Sequence, residues 1–289
     1  MPKKFIPPPP PLSPKDPELQ LMIKTVRTRF LDEYENNKEL YIESDVDKIR
    51  KTDFPVRRCI FGCKLNVDDA YEMLKNAMRW RKETGFEEAS PTRFPLEFYK
   101  IGAVFCYECD NEGTPLLYLR FKVHKKMEIL QDPVKKFLIY NMEILDRKIE
   151  KERGWGIVFD AQGSSVSNID FNLLIFLIKT VKNYYTWALK YILVYELPWY
   201  LSGAWKLALA LVPEEARNLF RLCYKNDIKD VINAENLPDF MGGTCKRNYR
   251  EIPEGAKPAE EIGKLELGLT SDEVHKIKIH FEKYLCEEE

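Results

Sequence analysis

The chain lacks any large excess of charge of one sign. Its 45 Lys and Arg residues and 46 Asp and Glu residues leave a formal net charge of −1. A protein that binds nucleic acid with its whole surface needs a strongly positive charge balance, because nucleic acid is densely negative. The composition therefore predicts no nucleic-acid partner, and any site for a polyanion has to be a local basic patch.

Long apolar runs are also missing. The most apolar region, 183–212, is interrupted by three charged residues and by Pro198, so it falls short of the roughly 20 apolar residues of a membrane-spanning helix. Residues 1–11 lack the apolar centre of a secretory signal peptide. Seven cysteines, an odd number, are spread along the chain without a dense disulfide framework. These features predict a cytoplasmic protein with reduced thiols, which associates with membranes transiently without crossing them.

Motifs of catalysis and metal binding are absent as well. The sequence has no glycine-rich phosphate loop, no Gly-x-Ser-x-Gly and no His-Glu-x-x-His. Cys106 and Cys109 have the spacing of a metal-binding pair, as do Cys59 and Cys63 on a helix, but residues three apart on a strand point to opposite faces. Asp160 follows an apolar run and is interpreted as the cap of the next loop. We therefore predict a non-enzymatic protein without cofactor or metal.

Proline is concentrated at the N-terminus. Residues 7–11 are five consecutive prolines, a composition typical of an extended polyproline II segment that buries no core. Residues 1–17 are therefore predicted to be a disordered, proline-rich tail. Such a tail either stays unbound or docks in a groove of the SH3, WW or EVH1 type, and the sequence leaves both interpretations open.

Residues 18–90 carry helical periodicity and predict a small helical subdomain. The first helix has one apolar stripe, formed by Leu19, Ile23, Val26, Phe30 and Tyr34. A second helix is predicted at 55–63. A third begins after Asn66, a favourable N-cap residue, and ends at Gly85.

The pattern changes to short strand-like runs in the region 91–250. These runs alternate with helical stretches at 132–151 and 169–184, which predicts an α/β fold with parallel strand pairs. The turn residues 110–113 predict a hairpin between the first two runs. The predicted strands are 103–107, 115–121, 155–160 and 191–197. Residues 251–289 are predicted to be a C-terminal extension with one amphipathic helix at 271–285.

One predicted helix is unusual because it has almost no polar face. Residues 203–212 are apolar apart from Lys206 and lie between Pro198 and Pro213. A helix that is apolar on all sides is buried on all sides or contacts something apolar, such as a lipid.

Four motifs occur in the order and approximate spacing of one known family, across about 45–245. They are Arg79-Trp80-Arg81-Lys82 at the end of a helix, 110–115 (Asp-Asn-Glu-Gly-Thr-Pro), Tyr184-Tyr185 followed by a strand and Leu197-Pro198-Trp199, and Asn236-Leu237-Pro238 followed by 241–244 (Met-Gly-Gly-Thr). Together they resemble the CRAL-TRIO family, and within it the N-terminal domain of motile-sperm-domain-containing proteins.

This resemblance implies a helical cap followed by a mixed β-sheet with helices on one face. On the other face it implies a mobile gate helix, placed at 203–212, over an apolar pocket. The implied function is to bind a single hydrophobic, lipid-like ligand in a closed pocket and to carry or sense it between intracellular membranes. A different class stays open, in which the pocket is vestigial and the protein is a non-transferring interaction module.

Two sets of candidate site residues follow from the resemblance and from the charge pattern. The expected lipid pocket comprises Phe176, Tyr185, Leu193, Tyr195, Trp199, Trp205, Leu209 and Phe220. A basic patch that would meet anionic membrane lipids comprises Lys122, Lys125, Lys126, Lys135 and Lys136.

Three positions depart from the family's phosphatidylinositol-binding members. Where those members carry charged headgroup residues, this chain has Phe61, Trp187 and Asn218. We therefore expect a ligand less polar than phosphatidylinositol, such as a sterol, an isoprenoid, a tocopherol-like molecule or a fatty molecule.

Overall fold

The computed structural model describes residues 10–85, 90–149 and 154–286. Within these ranges lie ten α-helices and five β-strands, together with short 3-10 turns. The helices are α1 (Pro17–Asn36), α2 (Glu43–Lys51), α3 (Phe54–Gly62), α4 (Val67–Glu83), α5 (Leu96–Ile101), α6 (Gln131–Lys148), α7 (Phe171–Tyr184), α8 (Ser202–Leu211), α9 (Ala259–Glu266) and α10 (Ser271–Leu285). The strands are β1 (Val104–Cys109), β2 (Pro115–Arg120), β3 (Trp155–Asp160), β4 (Leu189–Tyr195) and β5 (Phe220–Cys223).

Helices α1 to α4 form the predicted helical subdomain around one apolar core. All five residues of the α1 stripe are buried. The Asn66 side chain caps α4 by accepting hydrogen bonds from the backbone N–H groups of Asp68 and Asp69. Helix α2 was not predicted, because only Val46 and Ile49 of its nine residues are buried.

The predicted proline-rich tail lies partly outside the described residues, since residues 1–9 are not described. The part that is described makes contacts of its own. Leu12 packs against the helical core, and the Gln20 side chain donates a hydrogen bond to the Pro14 carbonyl at 2.8 Å. Asp16 caps α1. Residues 12–17 therefore contact the helical subdomain, in contrast to the free tail predicted for 1–17.

The five strands form one mixed sheet in the order β1-β2-β3-β4-β5. Strand β1 is antiparallel to β2, as the hairpin prediction required, and the other pairs are parallel. The register aligns Leu117 with Ile157, Ile157 with Ile192, and Ile192 with Phe220. Because side chains alternate between the two faces of a strand, these four residues share one face of the sheet. Strand β5 was not predicted, because it is only four residues long.

Both faces of the sheet are covered, but not as the resemblance implied. Helices α6 and α7 pack on the face that carries Leu117 and Ile157, and α8 lies on that same face, where Trp205 contacts Phe220. The opposite face packs against 228–241 in a continuous apolar core. Helix α8 and the long helices α6 and α7 therefore lie on one face, because turns after β5 pack on the other.

The hairpin turn is held by one buried carboxylate. Asp110 accepts hydrogen bonds from the backbone N–H groups of Glu112 and Thr114 at 2.8 and 2.7 Å. Its other oxygen accepts from the Tyr191 hydroxyl of β4 at 2.6 Å. Asp110 and Thr114, the first and fifth residues of this motif, therefore hold the turn together, and Asp110 links it to β4.

The backbone conformation explains why glycine occupies both positions 242 and 243 of the last motif. Gly242 has a φ of +79°, a conformation that favours glycine. At Gly243 a Cβ atom would lie 1.8 Å from the Leu237 carbonyl oxygen. The motif thus permits a close turn back onto Leu237, which is fully buried.

A buried ion-pair network joins the helical subdomain to the sheet. Arg81 of α4 contacts Asp45 and Glu143 at 2.6 Å each, and Glu143 also accepts a hydrogen bond from the Tyr185 hydroxyl at 2.6 Å. Arg58 of α3 contacts Asp146 of α6 at 2.9 Å. The guanidinium of Arg81 is therefore the central cation between α2, α4, α6 and the end of α7.

The C-terminal extension contains the predicted amphipathic helix α10 and an additional helix, α9. A capping box formed by Thr270 and Glu273 starts α10. Phe281 and Tyr284 of α10 pack with Ile101, Val123 and Leu130. The extension therefore packs against α5 and the segment between β2 and α6.

We expect Arg81→Ala to lower the free energy of unfolding by about 3–5 kcal/mol, because it removes the closest cation of the buried Glu143 carboxylate and leaves only the more distant Arg147 at 3.9 Å. Urea unfolding followed by circular dichroism measures the loss. Arg50→Ala is the matched control, since Arg50 pairs with exposed Glu43 and should cost at most about 1 kcal/mol. Equal losses for the two variants would contradict the structural role of Arg81.

Candidate functional site

A large apolar cavity lies between α7, α8 and the face of the sheet that carries Ile157 and Ile192. Its volume is about 930 Å³, within the range of sites that enclose a small ligand. Each strand contributes apolar side chains, and α7 and α8 form the facing wall. The wall includes Val104, Leu119, Ile157, Phe159, Ile192, Val194 and Phe220 of the sheet, Leu173, Leu177 and Val181 of α7, and Ala204, Trp205 and Ala208 of α8.

Helix α8 forms part of the wall of this cavity. Its inner side carries Trp205, whose ring lies 5.6 Å from that of Phe220. Its outer side exposes Leu207 and Leu211, which are 62% and 44% exposed. None of its ten residues is fully buried. Helix α8 therefore has apolar side chains both toward the cavity and toward solvent. Such a helix is suited to contact apolar material on both of its sides.

The cavity has two ends that differ in their polar groups. Because α7 has 14 residues, its ends are about 20 Å apart. Near its C-terminus the wall contains Arg58, Thr186 and Asn218. Near its N-terminus the wall contains His124, Lys125 and Asp170.

At the end of the cavity near the C-terminus of α7, Arg58 already has hydrogen-bond partners within the protein. Arg58 donates two hydrogen bonds to Asp146 at 2.9 and 3.1 Å and a third to the Tyr184 carbonyl at 3.3 Å. Close by, the ring of Phe61 lies 5.2 Å from that of Trp187. This end therefore presents aromatic surface and the paired Arg58 to the cavity, together with the basic side chains of Arg57, Lys64 and Lys182.

At the second end a histidine and an aspartate are paired. His124 Nε2 lies 3.2 Å from Asp170 Oδ2, and Asp170 Oδ1 accepts a hydrogen bond from the Leu173 N–H, which caps α7. Burial lowers the pKa of His124, although Asp170 opposes that shift. The imidazole is therefore neutral at physiological pH.

Three of the eight predicted pocket residues lie in the cavity wall, namely Tyr185, Trp205 and Phe220. The other five are outside it. Leu193 and Tyr195 pack in the core on the opposite face of the sheet. Trp199 is 85% exposed, Leu209 is half-buried on α8, and Phe176 packs between helices near Lys135.

The physical reason for these corrections is the two-residue alternation of a strand. On β4, Ile192 and Val194 line the cavity, so Leu193 and Tyr195 have to point away from it. The face of each strand therefore decides which of its side chains line the cavity. The apolar stripe of α7, with Leu173 and Leu177, and that of α10, with Ile277 and Phe281, also line the cavity. Their helical spacing was the signal that would have found them.

The predicted basic patch is divided among different environments. Lys126 and Lys136 are exposed. Lys135 contacts Asp132 at 3.4 Å, Lys122 is half-buried beside α10, and Lys125 lies in the cavity wall. Lys126 and Lys136 are thus the members most accessible to an anionic surface, whereas Lys125 belongs to the cavity.

The surroundings of Cys59 and of Asp160, at the end of β3, favour structural roles for both residues. Burial raises the pKa of Cys59 to about 12, which disfavours its thiolate. Among the described residues no group of three or more His, Cys, Asp or Glu side chains is placed to hold a metal ion. Asp160 Oδ1 accepts a hydrogen bond from the Gln162 N–H at 3.0 Å, which confirms its predicted capping role.

The fold is a mixed α/β domain with an apolar cavity, and comparison with known proteins assigns its family. Residues 99–243 match the family model described as CRAL/TRIO domain. The chain belongs to this family. At the level of the family, membership supports lipid binding and transfer.

Several known proteins are similar to this chain over 64–80% of its length. A CRAL-TRIO domain-containing protein of Schizosaccharomyces pombe is 28% identical over 64% of this chain and 44% of its own length. Protein real-time of Drosophila melanogaster is 26% identical over 64% of this chain and 32% of its own length. Phosphatidylinositol transfer protein CSR1 of Eremothecium gossypii is 22% identical over 80% of this chain and 58% of its own length. The chain thus spans less than two thirds of each of these relatives.

A solved structure shares the fold. The crystal structure of Sfh5 superposes with a TM-score of 0.65 at 14% identity, covering 88% of this chain and 98% of that chain. This similarity confirms the predicted mixed α/β architecture with a helical N-terminal region. No helix in the described ranges combines the length and the apolar character needed to cross a bilayer.

We expect Ile192→Trp to fill part of the cavity and to lower the amount of bound lipid while the protein stays folded. The neighbouring control is Leu193→Ala, which faces the solid core and should lower stability by about 2–5 kcal/mol. Lipid content per folded molecule should be unchanged in that control. Mass spectrometry of extracts and thermal melting are the paired measurements. Equal lipid content in Ile192→Trp and the wild type would contradict the assignment of the cavity.

Proposed function

We propose that the protein binds one hydrophobic lipid in this cavity and carries or senses it between membranes. The observation that carries the proposal is the apolar cavity of about 930 Å³ with α8 as its outer wall. Each methylene group that leaves a bilayer loses about 0.8 kcal/mol. A carrier regains this free energy only if it encloses the whole chain in apolar surroundings, which a cavity between a sheet and helices provides.

The first end of the cavity favours a ligand less polar than phosphatidylinositol. Phe61, Trp187 and Asn218 all line the wall, so the three departures from the phosphatidylinositol-binding pattern lie where a ligand would touch them. Arg58 is engaged by Asp146. An inositol phosphate would have to be desolvated beside aromatic rings without a free guanidinium from Arg58, which is costly. The relative from Eremothecium gossypii is named as a phosphatidylinositol transfer protein. Phosphatidylinositol is therefore the lipid with which less polar ligands have to be compared.

The outer side of α8 supports transient docking on a membrane. Leu207, Leu211 and the preceding Trp199 are large apolar residues exposed to solvent. Exposed apolar surface of this kind is typical of a site that meets a membrane or a partner. Lys126 and Lys136 would add attraction to anionic lipids, worth about 1 kcal/mol each near the surface.

A partner for the proline-rich segment stays a prediction, as does a close relationship to the motile-sperm-domain proteins. Residues 7–9 lie outside the described residues.

The binding proposal predicts a stoichiometric lipid in organic extracts of the protein purified from two different expression hosts. Mass spectrometry identifies it. In a vesicle transfer assay we expect sterol and isoprenoid probes to move at least as fast as phosphatidylinositol. Faster transfer of phosphatidylinositol would contradict the ligand class, whereas lipid-free extracts and no transfer would favour a non-transferring interaction module.

The docking proposal predicts that Leu207→Asp with Leu211→Asp weakens binding to anionic vesicles at least tenfold, because two leucines no longer enter the bilayer. Stability should change by less than about 1 kcal/mol, since both side chains are exposed. Leu21→Asp on α1 is the control, because Leu21 is equally exposed. Vesicle cosedimentation measures binding. If the control and the double variant lose binding equally, α8 is not the docking surface.

A further inference from the structure

The second end of the cavity, near the start of α7, carries a polar site that the binding of an apolar chain does not explain. His124 and Asp170 are paired at 3.2 Å, and the Asp170 side chain is only 5% exposed. Both residues lie in the wall of a cavity whose surface is otherwise mostly apolar. Polar groups in such walls fix the orientation of a ligand.

The backbone holds this pair in place. The buried Asn168 side chain donates hydrogen bonds to the carbonyls of His124 and Lys122 at 2.8 and 3.2 Å. From α10, the Tyr284 hydroxyl donates to the same Lys122 carbonyl at 2.9 Å. The segment that carries His124 is therefore fixed from two sides before any ligand binds, which is the requirement for a selective site.

The protonation state determines what the site can bind. Burial lowers the pKa of His124, so the ring is neutral at physiological pH. The proton lies on Nε2, because Nε2 faces the Asp170 carboxylate, and Nδ1 is then an acceptor. Within the described parts of the chain, Nδ1 has no hydrogen-bond partner.

Lys125 supplies the complementary donor. It is half-buried, lies in the cavity wall and forms no ion pair with a described residue. An ammonium group only donates hydrogen bonds. This end of the cavity thus combines one acceptor, Nδ1 of His124, with one donor, Nζ of Lys125.

A hydroxyl group satisfies this combination, because it donates one hydrogen bond and accepts another. A carboxylate or a phosphate diester would pair with the ammonium of Lys125, but it has no proton for Nδ1 and would be repelled by Asp170. A fully apolar end would leave these half-buried polar groups without a partner in the ligand, which is unfavourable. The ring pair Phe121–Phe159, with centroids 5.0 Å apart, lies in the adjoining wall and would contact the carbons next to that hydroxyl.

We propose that the ligand is a lipid alcohol whose hydroxyl group binds between His124 and Lys125, while its apolar part extends along α7 toward Tyr185. This inference rests on the proposed function, because it assigns the polar end of the lipid that the cavity binds.

The test compares three probes that share one apolar chain: geranylgeraniol, its methyl ether and geranylgeranoic acid. Competition against a fluorescent lipid gives their relative affinities. We expect the wild-type protein to bind the alcohol about tenfold more tightly than the ether or the acid, the size of one well-placed hydrogen bond. His124→Phe should remove this preference while affinity for the ether changes less than about threefold.

Two further variants complete the design. Lys125→Met removes the donor at a half-buried position that tolerates change, and it should also reduce the preference for the alcohol. His280→Phe on the exposed face of α10 is the matched control and should keep it. Equal binding of all three probes, tighter binding of the acid, or an unchanged preference in both His124→Phe and Lys125→Met would overturn this inference alone. Failure of every probe together with lipid-free extracts would overturn the proposed function and the inference with it.

Discussion

The alternation of side chains across the parallel strands is the constraint on which the rest of the structure depends. Register places Leu117, Ile157, Ile192 and Phe220 on one face of the sheet. The other face is packed solidly against the turns after β5. Because the segment 228–241 occupies that face, the cavity lies on the first face, where α7 and α8 form part of its wall.

This division separates two tasks. Stability comes from the solid face and from the buried ion pairs around Arg81, which hold the helical subdomain to α6 and α7. The cavity lies on the other face, where α8 has no fully buried residue. Because α8 is not among the firmly packed parts, it is an element whose movement would disturb the fold least.

Much of the fold could be predicted from the sequence, because strong periodic signals mark its elements. The α1 stripe, the Asn66 cap, the hairpin and the apolar strands β3 and β4 were all predicted near their observed positions. Helix α2 and strand β5 were missed, since short elements carry too few residues for a period to show. The family motifs were informative because each has a structural role, such as Asp110 in fixing the hairpin.

The site was harder to predict, and the difference has a physical cause. Residue type and spacing, which are properties of the chain, determined that it forms a mixed sheet, that 203–212 is an apolar helix and that three headgroup positions are uncharged. Only the tertiary structure decided that Ile192 rather than Leu193 faces the cavity, that α10 contributes to its wall, and that His124 meets Asp170 across 46 residues of chain. Those contacts depend on strand register and on which face of the sheet is already filled, and no local pattern contains either of them.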